Sequence, residues 1–309
     1  MFKELERKGY KKNAPNKYHV DCSYYEKNTE TIQITELVRN KNDVSILEAV
    51  LQNVKSKPRH IVVKIGRENT TIEKEFHYGK ILENAKIPGY IRYICIFDCL
   101  DDTHRLRQTP KSICKGTDIP ENRKNVLIMP YISEGSLRKF GWNPEYFIML
   151  KSVILQAIMS SFVAYITCGF IHGDFHLDNI LLKKTKKREI LYTWPNGSRY
   201  LSTNGYKIVI MDFDSSWMVE DRERETGIPL YWINLQNMFS RINTDLRTKT
   251  GDIIQMKNHS KIMQMIKTNI EKKGKVENTL KILDKINIAD FEIIENPLSK
   301  LVYDPNRWG

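Results

Sequence analysis

Cysteine is scarce and scattered in this 309-residue chain: Cys22, Cys95, Cys99, Cys114 and Cys168, with no CxxC pair and no histidine at zinc spacing. A disulfide framework and a structural zinc centre are therefore not expected, and a reducing compartment is. Glycine (15) and proline (11) are too few for a fibrous repeat, and no low-complexity block or internal repeat is visible. The opening residues MFKELERKGYKKNAPNKYH lack the apolar stretch of a secretory leader, so the expected location is intracellular and cytoplasmic, with the nucleus as the alternative. Long apolar runs are also missing, except for Val153 to Ile171. That run contains Gln156, Ser160, Ser161 and Thr167 and leads into His172-Gly173-Asp174. It reads as a buried helix feeding a functional loop, and no membrane span is expected. Acidic charge falls short of basic charge, 37 Asp and Glu against 49 Lys and Arg, leaving +12. Such an excess favours an anionic partner. Hydrophobic residues at 41% and charged residues at 28% are near globular averages, which excludes wholesale disorder.

Residues 1–30 are polar and basic and read as a tail or lead-in. The runs IQITELV, VSILEAVL and HIVVKI then read as strands, rich in β-branched residues and separated by polar turns. Glu73 to Asn84 has helical spacing. YIRYICIFDCL and NVLIMPYI read as further strands, with an exposed loop from Asp101 to Lys124 between them. Beyond Ser136 the pattern is mainly helical, interrupted by strands at Ile180 to Leu182 and Ile208 to Met211 and by a hairpin signal at Trp194-Pro195-Asn196-Gly197. The segment 257–286 reads as amphipathic helices with an apolar stripe of Ile262, Met265, Ile266 and Ile270.

The chemistry concentrates in His172-Gly173-Asp174-Phe175-His176-Leu177-Asp178-Asn179 and in Asp212-Phe213-Asp214, each beside a strand. Two carboxylates and a carboxamide supply hard oxygen ligands, which suits Mg²⁺ bound to phosphates. The spacing of five lets one loop present a base at Asp174 and a ligand at Asn179. Lys64, in IVVKI, adds a counter-charge for phosphate.

These residues resemble the protein-kinase-like superfamily, particularly divergent members such as the serine/threonine kinase-like proteins of large DNA viruses. The pattern HxDxxxxN is met by His172, Asp174 and Asn179, the DFG segment is approximated by Asp212-Phe213-Asp214, and the VAIK strand is similar to Val62-Val63-Lys64. The resemblance implies an α+β, bilobal protein-kinase-like fold. Residues 31–132 would form a small antiparallel β-rich N-lobe, and 133–309 a mainly helical C-lobe with a β-hairpin insertion at about 183–206. It implies ATP and Mg²⁺ as cofactors. In this reading Lys64 holds phosphates and Glu75 orients it, with Glu73 as rival. Asp174 serves the attacking hydroxyl, while Asn179, Asp212 and, as a further candidate, Asp214 ligate the metal. His172 braces the loop; Val62, Met129 as gatekeeper, the Pro130 carbonyl and the Ile132 amide face adenine. His176 stands where protein kinases commonly carry a Lys.

The chain also departs from the pattern. No glycine occurs between Gly9 and Gly66, so the Gly-rich phosphate loop is replaced by Arg39-Asn40-Lys41-Asn42-Asp43. Gly173 stands where an Arg precedes the catalytic Asp, and no APE-like segment follows Asp212. Three readings stay open: a serine/threonine protein kinase, a small-molecule kinase of the aminoglycoside or choline type, and a pseudokinase scaffold. The basic excess lies in 1–20 (+4), 181–200 (+5) and 257–286 (+5), leaving the rest near −2. An acidic partner would therefore meet surfaces away from the ATP site, and nucleic acid is not expected in that cleft.

Overall fold

The computed structural model describes residues 31–41, 44–53, 56–67, 72–98, 124–220 and 228–294. The expected tail, the loop from Asp101 up to Lys124, Asn42 and Asp43, and the charged run after Glu220 lie outside the described residues. The chain divides into two compact units, 1–80 with 92–131 and 81–91 with 132–309.

In the first unit, β1 (Thr31–Lys41), β2 (Val44–Asn53), β3 (Ser56–Arg67), β4 (Cys95–Asp98) and β5 (Lys124–Pro130) form one antiparallel sheet in the order β1-β2-β3-β5-β4. Alternation along β3 gives the sheet its two faces. Ile61, Val63 and Ile65 join Leu47, Ala49, Cys95, Val126 and Ile128 in a buried cluster, while Val62 and Lys64 belong to the opposite face. Because β3 is central, its Lys64 has neighbours on both sides, and its head does not snorkel to solvent: the residue is 8% exposed. The helix α1 (Ile72–Asn84) buries Ile72, Glu75 and Phe76. The run from Tyr90 is a shorter strand than its composition suggests. Only Cys95–Asp98 pairs in the sheet, because the Ile91 N–H is taken by the Ile210 carbonyl at 2.9 Å and Tyr90 bridges Ile210.

The second unit is built on α2 (Phe147–Cys168), which contains most of the long apolar run. This helix is long and apolar enough to cross a membrane, yet 78% of its most apolar window is buried inside the protein. Ser152, Gln156 and Ser161 on this helix have internal partners. Gln156, fully buried, donates to the Tyr206 carbonyl at 3.1 Å and accepts from the Ile208 N–H at 3.2 Å, so it secures the start of a neighbouring strand. Gly169, at φ +70°, ends the helix in the left-handed region and donates to the Tyr165 carbonyl. This turns the chain into β6 (Phe170–Ile171) and the loop that carries the candidate chemistry.

After that loop, β7 (Ile180–Lys184) leads to the expected hairpin, β8 (Glu189–Trp194) and β9 (Gly197–Ser202), closed at Trp194 and Gly197. Tyr192 and Leu201 lie buried on one face of the hairpin, and Leu191 and Tyr200 are exposed on the other. β10 (Tyr206–Ile210) pairs antiparallel with β7, and β11 (Trp217–Met218) with β6. Then come α3 (Ile228–Asp245), β12 (Ile253–Met256), α4 (His259–Glu271), the short α5 (Thr279–Leu283) and β13 (Phe291–Ile294), which pairs with β12. Ile262 and Ile266 of the expected stripe are buried in the unit and Met265 and Ile270 half-buried, so the stripe is core packing. The architecture is α+β: an antiparallel, sheet-rich first unit and a mainly helical second unit with a hairpin insertion.

Phe162 of α2 joins the hairpin to the helix, with its fully buried ring edge-on to Trp194 at a centroid distance of 5.3 Å. Phe162→Ala is expected to cost about 3 to 5 kcal/mol in urea unfolding, as buried Phe truncations do. A loss below about 1 kcal/mol would mean that the hairpin is not anchored there.

Candidate active site

Each unit brings together one group of predicted residues. In the first, Lys64 Nζ lies 2.7 Å from Glu75 Oε2, with Glu75 only 1% exposed. A buried charge is tolerated when it is paired and hydrogen-bonded. Glu75 meets both conditions, since its second oxygen accepts from the Tyr93 hydroxyl at 2.5 Å. Glu73, the rival, instead accepts from Asn125 Nδ2 at 3.0 Å. One helical step of two residues separates these environments. Met129 pairs with Val62 across β3 and β5 and is buried; Pro130 pairs with Ile61, and Ile132 is buried just beyond the strand. Tyr93 has no sequence signal that marks it for this role.

In the second unit, the loop after β6 is held to the segment after β10 by main-chain bonds. The Met211 N–H donates to the Asn179 carbonyl at 3.0 Å, and the Met211 carbonyl lies 2.9 Å from His172 Nε2. His172 is 2% exposed, and burial lowers its pKa below the ordinary imidazole range, against the opposing pull of the Met211 carbonyl. The neutral ring therefore carries its proton on Nε2 and donates it to Met211. Its Nδ1 has no hydrogen-bond partner among the described residues, which suits an unprotonated nitrogen.

Phe213 anchors the same segment, fully buried against His172 (5.7 Å), Phe170 (5.5 Å) and Tyr90 (5.9 Å). Between these fixed neighbours Asp212 adopts φ +68°, a left-handed conformation that Asp tolerates better than most residues. Gly173 is at φ +79°, and a Cβ there would lie 2.1 Å from the Ser215 carbonyl oxygen and 2.7 Å from the Trp217 ring. No side chain fits, so the missing Arg is a requirement of this backbone. The Gly173 N–H donates to Asn234 Oδ1 at 3.2 Å, and Asn234 Nδ2 donates to Ser161 Oγ at 3.2 Å, which ties the loop to α3 and α2. Asn234 was not a sequence candidate; a lone helical Asn carries no distinguishing pattern.

Asp174 is exposed, its side chain 51% accessible. Asn179 Nδ2 donates to the Asp174 carbonyl at 3.0 Å and lies 3.3 Å from His176 Nε2 and 3.5 Å from Asp174 Oδ2. This amide is therefore committed to the loop, and its Oδ1 is the atom available to a ligand. Among the described residues no three or more His, Cys, Asp or Glu side chains form a preformed metal cage. Mg²⁺ is commonly held by one or two carboxylates together with substrate phosphates and water. Asp212 and Asp214, both half-buried, and Asn179 are the hard oxygen donors present.

No protein-family model matches the chain. Over 71 residues, 23% of the chain, it is 35% identical to the serine/threonine-protein kinase haspin of Mus musculus, a match that spans 9% of that relative's length. Among solved structures it is similar to the kinase PK-1 of the Cydia pomonella granulovirus, at 13% identity and a TM-score of 0.39, covering 76% of this chain and 73% of that one. It is also similar to the BubR1 kinase domain, at 15% identity and a TM-score of 0.45, covering 91% and 96%. The chain itself has an α+β architecture with a central-strand Lys paired to a helical Glu.

The lowered pKa of His172 has a measurable consequence. Below about pH 6.5 the unfolded chain takes up a proton that the buried ring resists, so stability is fully present above that pH and declines as pH falls, by up to about 1.4 kcal/mol per unit. His77, also lowered by burial, contributes in the same direction. His172→Gln retains an amide donor for Met211 but cannot titrate, so its thermal midpoint should fall less steeply than wild type between about pH 7.5 and 5.5. Identical slopes would contradict the buried, neutral ring.

Proposed function

We propose that the protein is an ATP- and Mg²⁺-dependent phosphotransferase whose acceptor is a Ser or Thr hydroxyl of a protein. The observation that carries the reading is the joined set Asp174, Asn179 and Asp212, in which Met211 bonds to the main chain of Asn179 and Asn179 bonds to that of Asp174. The stretch of 35% identity to a serine/threonine kinase supports the choice of acceptor.

In this reading Lys64 meets the α- and β-phosphates, and Glu75 restricts its ammonium to one direction. Val62, Met129, the Pro130 carbonyl and the Ile132 amide contact adenine. Asn179 Oδ1 and the Asp212 carboxylate hold Mg²⁺, with Asp214 as a further ligand. The bound ion neutralises charge on the β- and γ-phosphoryl oxygens. Asp174 orients the acceptor hydroxyl and takes its proton. His172 acts on none of these groups; it fixes the backbone between them. The exposed basic turn Lys183 to Arg188 would serve an acidic partner rather than the chemistry.

A second reading, transfer to a small-molecule alcohol, is favoured by the short connection after the loop. Only residues 213–227 separate Asp212 from α3, and no APE-like segment lies among them. Labelled phosphate delivered to aminoglycoside or choline acceptors, with none on proteins, would select it.

Asp212→Ala should abolish Mg²⁺-dependent transfer from γ-labelled ATP to casein while the chain still folds, with an unfolding midpoint lowered modestly by the left-handed backbone at this position. Undiminished transfer would remove Asp212 from the metal site. The absence of both transfer and a MgATP-induced thermal shift in the wild type would leave the scaffold reading.

A further inference from the structure

His176 is the residue of the loop that this chemistry has not used, and its surroundings fix its proton. It caps the short 3₁₀ turn Leu177–Asn179 from an extended backbone, and its Nδ1 accepts the Asp178 N–H at 3.2 Å. A nitrogen facing an N–H donor holds a lone pair, so in the neutral ring the proton sits on Nε2. The Asp178 carboxylate does not reverse this. Its Oδ2 is 4.0 Å from Nδ1 and is occupied by Arg138 Nη1 at 2.9 Å. Nε2 in turn lies 3.1 Å from Asp174 Oδ2. The neighbouring Asn179 Nδ2 gives one hydrogen to the Asp174 carbonyl at 3.0 Å and lies 3.5 Å from Asp174 Oδ2 and 3.3 Å from Nε2. The His176 side chain is 15% exposed against 51% for Asp174, so a packed ring holds a solvent-facing carboxylate.

We propose that His176 is a positioning residue: held in its Nε2–H tautomer by the Asp178 N–H, it binds Oδ2 of Asp174 and leaves Oδ1 as the oxygen that receives the acceptor's proton. The inference rests on the reading of Asp174 as the proton acceptor in phosphoryl transfer. In that step the acceptor oxygen bonds to the γ-phosphorus, the bond from that phosphorus to the β,γ-bridging oxygen breaks, ADP departs, and the hydroxyl proton moves to Oδ1. The His176 proton stays on Nε2 throughout. Without the ring an exposed Asp turns among its rotamers, and a displacement of about 1 Å at a reacting group costs on the order of a hundredfold.

The test compares His176→Leu, which keeps bulk without a donor, with His176→Gln, which restores one, using MgATP and casein. The Leu variant should lower kcat by about tenfold to a hundredfold with the KM for ATP within about twofold of wild type, and Gln should recover most of the loss. Nitrogen-15 spectra of the full chain should show His176 protonated at Nε2 and bare at Nδ1, with the Nε2 signal shifting in Asp174→Asn. Unchanged kcat in the Leu variant, equal losses in Leu and Gln, or a proton on Nδ1 would each overturn the proposal. A wild type inert toward MgATP sinks the phosphotransferase reading instead, while the spectra still decide whether His176 holds Asp174.

Discussion

The candidate site depends on one residue's main chain. Met211 gives its N–H to Asn179 and receives the Nε2 proton of His172, so two segments far apart in sequence share a single clasp. Asp174 and Asn179 lie on one side of it and Asp212 follows on the other. The ring that closes the clasp is buried among Phe170, Phe175 and Phe213, in surroundings where an unmade hydrogen bond would be costly. That is why His172 pairs with a carbonyl and why its charged form is disfavoured.

The first unit solves a related problem differently. Lys64 on the central strand is only 8% exposed, so its ammonium is stabilised there by an acidic partner, and Glu75 supplies it. Glu75 is committed in turn by the Tyr93 hydroxyl. Removing either end would deprive a buried charge of its opposite charge, an effect of about 3 to 5 kcal/mol in comparable pairs. Such a pair adds little to stability over an apolar substitute, so its presence on β3 beside Val62, Val63 and Ile65 is more than folding requires.

Much of this was legible before any coordinates. Alternation placed Val62 and Lys64 on one face, the spacing of Asp174 and Asn179 marked a loop, and Trp194-Pro195-Asn196-Gly197 marked the hairpin, because each is a local signal that short-range sterics enforce. The long-range partners were not legible. Tyr93 is one tyrosine among 15, and Asn234 is a helical amide with nothing to mark it. His176 was singled out by position, but only the Asp178 N–H shows which of its nitrogens carries the proton. The run beginning at Tyr90 read as a full strand because β-branched and aromatic residues dominate it, yet the Ile210 main chain takes its first residues away from the sheet. Composition reports what a segment is able to form, and competition among neighbours decides what it forms.

The departures from the kinase pattern carry physical content. Gly173 is demanded by the Ser215 carbonyl, which excludes the Arg that would answer an activating phosphate. The loop is assembled by its own backbone, and in the proposed function Mg²⁺ would be held by few protein oxygens together with the nucleotide. The most direct test is a crystal structure of the full chain with Mn²⁺ and a non-hydrolysable ATP analogue. Anomalous scattering should place the ion in coordination with Asn179 Oδ1 and the Asp212 carboxylate, with Asp174 outside its shell. A bound nucleotide whose ion is held by other residues, or no nucleotide at millimolar concentration, would contradict it.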